Sequence, residues 1–232
     1  MSLTVPRLRP SLKAKGPGTD LERALWGDGK DIVVGLDEVG KGAWAGPLTV
    51  GAVVIPKDRR IYKVRDSKAL TALEREAMVD RITPWAVAWS VGHATAKECD
   101  EFGMSDAQRL AARRAIDGLG VDIDHALVDG KWDFVEKLET TTVVKGDAKS
   151  LSIAAASIVA KVTRDRIMRS AAEPFPWYAF DSNKGYPCHR HRAALRALGP
   201  STIHRRSWIY MTDLGWDGIP ECRVEPAPLS LF

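Results

Sequence analysis

Three apolar runs in this chain end in carboxylates. Ile32–Leu36 leads into Asp37 and Glu38, Ala126–Val128 into Asp129, and Thr141–Val144 into Lys145, Gly146 and Asp147. Short apolar runs with such punctuation predict strands. Strand ends along one edge of a sheet converge, so acids far apart in sequence can meet in space. Four carboxylates packed together repel one another unless divalent cations neutralise them. Oxygen ligands without a Cys or His cluster select magnesium or manganese over zinc. Two such ions can hold both the attacking and the leaving oxygen of a phosphodiester. Taken singly, each acid has a plainer role: Asp147 as a helix cap and Asp129 with Gly130 as an ordinary turn. Neighbouring strand residues also point to opposite faces. Asp37 and Glu38 therefore share a site only if the strand breaks there, or if Glu38 acts through its backbone carbonyl or from the margin.

The first strand is joined to a second, Leu48–Ile55, by a connection containing Gly40-Lys41-Gly42 and Gly46-Pro47. Glycines let backbone approach a ligand closely, and a lysine held between two of them points at an anion. Trp44 in the same loop is a further candidate nucleic-acid contact. From Lys184 to Arg206 the chain has six Lys or Arg, three His and no acid. Such a run is usually a solvated helix face. Tyr186 in the same segment favours contact with a phosphate backbone instead, including through Lys184, Arg205 and Arg206.

The elements that must position these groups are an alternation of helices and strands. Leu21–Trp26 predicts a short helix before the first strand. Thr71 and Glu74 have capping-box spacing and predict a helix ending at Thr83, ahead of Pro84. Trp85–Val91 reads as a third strand, with Trp85 and Trp89 facing the core. Ser105 and Gln108 repeat the capping-box pattern and open a helix with Leu110, Ala111, Ala115 and Ile116 on one face, stopping near Gly118 or Gly120. The longest helix spans Ser150 to about Ala172 and is small and apolar nearly all round from Ile153 to Ala160, as a central packed helix requires. His189–Leu198 predicts a last helix with Gly199 as its stop.

The 232 residues suit one large domain, or one with an appendage; 45% hydrophobic and 28% charged content is that of an ordinary globular chain. Residues 1–18 read as a flexible basic arm, 19–212 as the catalytic domain with a helical C-terminal part, and 213–232 as a loosely ordered tail. Cys99, Cys188 and Cys222 are too scattered for a disulfide framework or zinc site. No run spans a membrane and the amino terminus lacks the apolar core of a signal peptide, so a cytoplasmic location is expected, with no membrane partner and a monomeric chain.

These segments together resemble ribonuclease HII, the type 2 ribonuclease H family. The resemblance rests on Asp37-Glu38-Val39-Gly40-Lys41-Gly42, Gly46-Pro47, Asp66-Ser67-Lys68, Val128-Asp129-Gly130 and Gly146-Asp147-Ala148-Lys149-Ser150. It continues through Ala154–Asp165, Lys184-Gly185-Tyr186-Pro187 and His204-Arg205-Arg206-Ser207. It implies an α/β ribonuclease H-like fold, a mixed five-stranded sheet flanked by helices with its first three strands antiparallel. It implies endonucleolytic cutting of the RNA strand of RNA–DNA hybrids, and cutting 5′ of single ribonucleotides in duplex DNA, leaving 3′-hydroxyl and 5′-phosphate ends. By the same resemblance two Mg2+ or Mn2+ ions are held by Asp37, Glu38, Asp129 and Asp147. Asp165 also lies in a matching motif, and its place between Arg164 and Arg166 on a helix favours a salt bridge or a supporting role behind the ligands over direct metal binding. Gly40, Lys41 and Gly42 then contact the 2′-hydroxyl and Tyr186 packs on the sugar at the RNA–DNA junction. The family more often has arginine at Lys41; lysine keeps the charge but lacks the planar fork. His191 and His204, which also match, read as structural or phosphate-contacting. The last five residues, Pro228, Leu229, Ser230, Leu231 and Phe232, resemble the peptide that binds the bacterial sliding clamp, with proline in place of the usual glutamine. Folding back onto the domain is the other reading of that apolar end.

Overall fold

In the computed structural model, residues 8–9, 16–65 and 67–214 are described. The predicted strands assemble into one five-stranded sheet in the order β3-β2-β1-β4-β5. Strand β1 (Val33–Val39) runs antiparallel to β2 (Leu48–Val54), with Asp37 opposite Gly51. On its other side β1 is parallel to β4 (His125–Asp129), and β4 is parallel to β5 (Thr140–Val143). The edge strand β3 is Ala88–Ala94. The sheet is therefore mixed, as the resemblance implies.

The described chain divides into two compact units. One comprises the chain through Val39, Thr49–His93 and Gln108–Val162; the other comprises Gly40–Leu48, Ala94–Ala107 and the chain from Thr163. In the first, helix α4 (Leu151–Ala171) contributes its apolar half, including buried Ile153, Ile158 and Val159. Two sheet glycines admit it. A Cβ on Gly35 would stand 2.3 Å from the backbone carbon of Ser152, and one on Gly51 would stand 2.4 Å from the Ala156 carbonyl oxygen. Any side chain at either position would push the helix off the sheet. The alanines Ala154, Ala155 and Ala156 on α4 are fully buried and keep the helix equally slim. Around this contact, Val53, Met78, Ile82 and Val162 complete the core.

The start of α4 is held by a residue that sequence reading did not single out. Glu22, on helix α1 (Asp20–Gly27), is fully buried. Its Oε1 accepts from the Ser150 hydroxyl at 2.6 Å, the Ser152 N–H at 2.9 Å and the Ser152 hydroxyl at 2.7 Å. Ser150 Oγ in turn accepts from the Ile153 N–H at 3.2 Å. A first helical turn leaves N–H groups without intrahelical partners and favours negative charge. Glu22 supplies both from outside the helix.

Several boundaries differ from expectation. The Thr71–Glu74 capping box forms in both directions, but α2 (Ala72–Trp85) continues through Pro84. Near the end of a helix proline forfeits one hydrogen bond, and the Ala86 N–H still closes the turn on Ile82. Strand β3 consequently starts at Ala88. Trp85 is the buried end of α2, and Trp89 on β3 is 43% exposed rather than facing the core. Helix α3 (Ala96–Asp117) begins well before Ser105, with a reciprocal box between Thr95 and Glu98, and Gly103 breaks it with φ 77°. The Ser105 pattern lies just past that kink. α3 buries Ala107, Gln108, Ala111, Ala112 and Ala115, while Leu110 and Ile116 are only half-buried. Helices α5 (Phe180–Asn183) and α6 (His189–Leu198) follow, the latter as predicted.

Glu22→Ala should destabilise the protein by about 3 kcal/mol, because it leaves buried donors unmet. Glu22→Gln keeps an acceptor oxygen and should cost clearly less. Thermal melts of both variants check this; equal losses would mean that Glu22 only fills space.

Candidate active site and substrate loop

In the first unit, β1 does not break at its acids. It runs to Val39, so Asp37 and Glu38 are both strand residues rather than lying past the strand's end. Alternation leaves Asp37 8% exposed and Glu38 half-buried. The Asp37 Oδ1 accepts the Glu38 N–H at 2.8 Å. Burial pushes the Asp37 carboxyl well above the usual carboxylate range. A hydrogen bond from Ser157 pulls it down, and the charges of Glu38, Asp129 and Asp147 push it up further. The other three acids named from the sequence therefore all act on Asp37. Asp129 ends β4 and accepts the Gly146 N–H at 2.6 Å, which ties the end of one strand to the turn after the next. Asp147 follows within a 3-10 turn, Gly146–Ala148, and is 8% exposed. Lys145 just before it takes the left-handed conformation, with φ 55°. Among the described residues, no three acids, histidines or cysteines close on a single point.

In the second unit, the glycine-rich loop Gly40–Leu48 is held largely through its backbone. The Gly40 N–H donates to the Tyr186 hydroxyl at 3.1 Å. The N–H groups of Trp44 and Ala45 donate to Gly185, and that of Gly46 to Ile203. Lys41 and Gly42 are exposed at the tip. Two arginines lie beneath. Arg164, absent from the sequence-derived site, is fully buried and donates to Pro47, Ala45 and Lys184. Arg205 is also fully buried and donates to Lys41 and Gly46. It offers no surface to a phosphate, which corrects its placement on the phosphate track. Arg206 is exposed, and its N–H donates to Asp100. The Lys184 ammonium turns back onto the Asp181 carbonyl. Asp165 lies buried on α4 beside Arg164. Asp66 is outside the described residues.

Behind Tyr186 runs a chain of neutral imidazoles. The Ser201 N–H donates to His204 Nδ1 at 2.9 Å, so His204 carries its proton on Nε2. That proton goes to His191 Nε2 at 2.8 Å, and His191 Nδ1–H donates to the Tyr186 carbonyl at 2.9 Å. Both rings are buried against Tyr178 and Phe180, so they serve the structure and do not touch phosphate. Trp44 stacks on Tyr210 with centroids 4.2 Å apart, and Arg192 lies over it. Ser157, Arg164 and Glu22 escaped sequence reading. The first two stand inside the quoted Ala154–Asp165 motif, which was the signal available.

Burial, with the charges of His191 and Arg206, lowers His204 to about 3, against a bond from Ser201; burial also lowers His191. Below the ordinary histidine pKa of about 6.5, the unfolded chain takes up protons that the folded chain refuses. Their stabilising contribution is complete above that pH and is lost as pH falls toward the folded values. The melting temperature should therefore drop from about pH 7 to about pH 5, and His204→Gln should flatten the drop. A variant with the wild-type slope would remove His204 from this linkage.

The ribonuclease HII family profile matches residues 34–211. A ribonuclease HII of Caulobacter vibrioides is 46% identical over 193 residues, covering 83% of this chain and 90% of that protein. One from Streptomyces griseus is 42% identical, covering 93% and 94%. Among solved structures, ribonuclease H2 of Pyrococcus horikoshii superposes with TM-score 0.67 at 28% identity, covering 79% of this chain and 96% of that one. The ribonuclease HII of Archaeoglobus fulgidus, solved in complex with PCNA, gives 0.66 at 26% identity, covering 81% and 98%. At 15% identity, a Bst ribonuclease HIII solved with Mn2+ shares the fold, with TM-score 0.57 and coverage of 79% and 68%. No helix among the described residues is long and apolar enough to cross a membrane. With relatives above 40% identity along most of its length, this chain belongs to the ribonuclease HII family, endonucleases that hydrolyse the RNA strand of RNA–DNA hybrids.

Proposed function

We propose that this enzyme also cuts at a single ribonucleotide embedded in duplex DNA, on its 5′ side, leaving 3′-hydroxyl and 5′-phosphate ends. The observation that carries this is Gly42. A Cβ there would meet nothing within 4 Å, and its backbone needs no left-handed φ. Gly40 and Gly46 are different: both have positive φ, and a Cβ would strike Arg164 Nε at 2.2 Å and Met168 Sδ at 2.2 Å respectively. The fold asks for those two glycines and does not ask for Gly42. A glycine at a position where a side chain would fit leaves room for a ligand to approach the backbone. A ribose 2′-hydroxyl is the group that distinguishes one ribonucleotide from its DNA neighbours, and Gly40, Lys41 and Gly42 are its proposed contacts. The half-buried Tyr186 ring packs on the junction sugar, and Arg206 and Lys184 serve the backbone phosphates.

The acids fit hard divalent cations. The donor set is all carboxylate, and Asp37 is held against ionisation by burial and by three acidic neighbours, a condition that bound cations relieve. Asp37, Glu38, Asp129 and Asp147 would hold two such ions, Mg2+ or Mn2+, which supply an activated water and charge neutralisation at the scissile phosphate. Ser157 supports Asp37, and the Gly146 N–H orients Asp129. Asp165, farther along α4, is the proposed supporting residue.

Three short duplexes test this reading: one embedded ribonucleotide, a continuous hybrid, and all DNA. The wild type should cut the first two and spare the third. Asp129→Asn should lose cutting of both by a factor of about 1,000 or more. Gly42→Ala should fold at least as stably, by about 0.4–1 kcal/mol, yet lose cutting at the single ribonucleotide. Full activity in Gly42→Ala would exclude the loop as the 2′-hydroxyl reader.

The sliding clamp is the proposed protein partner, through Pro228, Leu229, Ser230, Leu231 and Phe232. These residues lie outside those described. Support comes from their sequence and from the archaeal relative solved with PCNA. Removing residues 228–232 should abolish co-purification with the bacterial clamp and leave cleavage of short duplexes unchanged. A truncated protein that still binds the clamp would dismiss this peptide as the contact.

A further inference from the structure

Arg164 directs all three of its guanidinium nitrogens at backbone carbonyls. Its Nε donates to Pro47 at 2.8 Å, its Nη2 to Ala45 at 3.0 Å and its Nη1 to Lys184 at 2.8 Å. Two of these carbonyls belong to the glycine-rich loop and the third precedes Gly185-Tyr186. Its guanidinium lies 5.4 Å from the Tyr186 ring centroid. Tyr186 in turn holds Gly40 through its hydroxyl. Gly40 is open enough to admit the guanidinium, since a Cβ there would overlap it. Arg205 completes the arrangement from Lys41 and Gly46. The four loop carbonyls of Lys41, Ala45, Gly46 and Pro47 are thus held by two buried forks.

We infer that Arg164 is a positioning residue for ribonucleotide recognition: it fixes the loop and Tyr186 as one preformed body before substrate arrives. The inference rests on the loop being the 2′-hydroxyl reader. A planar fork serves three carbonyls at fixed, well-separated positions; a lysine is a compact donor on a flexible stem. Burying this cation is costly. Desolvation lowers Arg164 to about 10, and the charge of Arg205 adds to the strain. Apolar packing would stabilise the same volume more cheaply. What the guanidinium adds is geometry, and a misplacement of about 1 Å can cost about 100-fold in reaction rate.

Equilibrium binding by metal-free protein separates the possibilities. Two labelled duplexes are compared, identical except for one ribonucleotide. The wild type should prefer the ribonucleotide duplex. Arg164→Lys, which keeps the charge, should reduce that preference about tenfold or more while changing affinity for the all-DNA duplex less than about twofold. If the wild type shows no preference, the 2′-hydroxyl reading itself fails. If the wild type prefers the ribonucleotide and Arg164→Lys keeps the full preference, the positioning role is overturned. Should Arg164→Lys melt below the assay temperature, hydrogen exchange on the wild type decides. Amides of Ala45 and Gly46 protected in the free protein as well as those of β1 support a preformed loop; rapid exchange there overturns it.

Discussion

The distance between α4 and the sheet is the constraint on which the first unit depends. Gly35 and Gly51 leave no side chain in the gap, and the alanines of α4 answer them. Asp37 stands two residues beyond Gly35 on the same strand face, directly opposite Gly51. A carboxylate placed there meets helix rather than water. Its burial, its bond to Ser157 and its resistance to ionisation all follow from that approach. A methyl group at either glycine would lift the helix and open the acid to solvent, removing the burial that is the largest cause of its raised pKa.

The second unit solves a different problem, that of holding a loop made of glycines. Such a chain loses more freedom on ordering than any other. Buried guanidinium groups answer it with many donors per side chain, aimed at carbonyls that have no sheet partner. The imidazole chain from Ser201 through His204 and His191 anchors the Tyr186 carbonyl in the same manner. Many of the buried polar groups described in this unit are directed at the main chain, which fixes the loop's shape.

Much of this was legible beforehand. Apolar runs ending in acids located the strands, and α6 was read to the residue because helix periodicity and a glycine stop agree there. Failures had physical causes. Pro84 has the look of a barrier in the sequence, yet near a helix end proline costs only one bond. The capping pattern at Ser105 lies inside the helix, past the Gly103 kink, and the box in use at Thr95 and Glu98 went unremarked. Charge counting placed Arg205 with Arg206 on a phosphate track, yet one is buried and the other exposed. Composition cannot separate a guanidinium that faces water from one that faces carbonyls. Glu22 was invisible for a related reason: its partners lie 128 and 130 residues away.

That separation has a consequence during synthesis. A ribosome adds about 5–20 residues per second. Glu22 therefore leaves the ribosome on the order of ten seconds before Ser150 and Ser152 exist to receive it. Through that interval α1 is a short amphipathic segment whose acid has no task, and the sheet lacks the helix that its glycines were shaped for. Closure of the first unit around Gly35 and Gly51 therefore waits for α4, and until that helix arrives the sheet face it covers stands open to solvent.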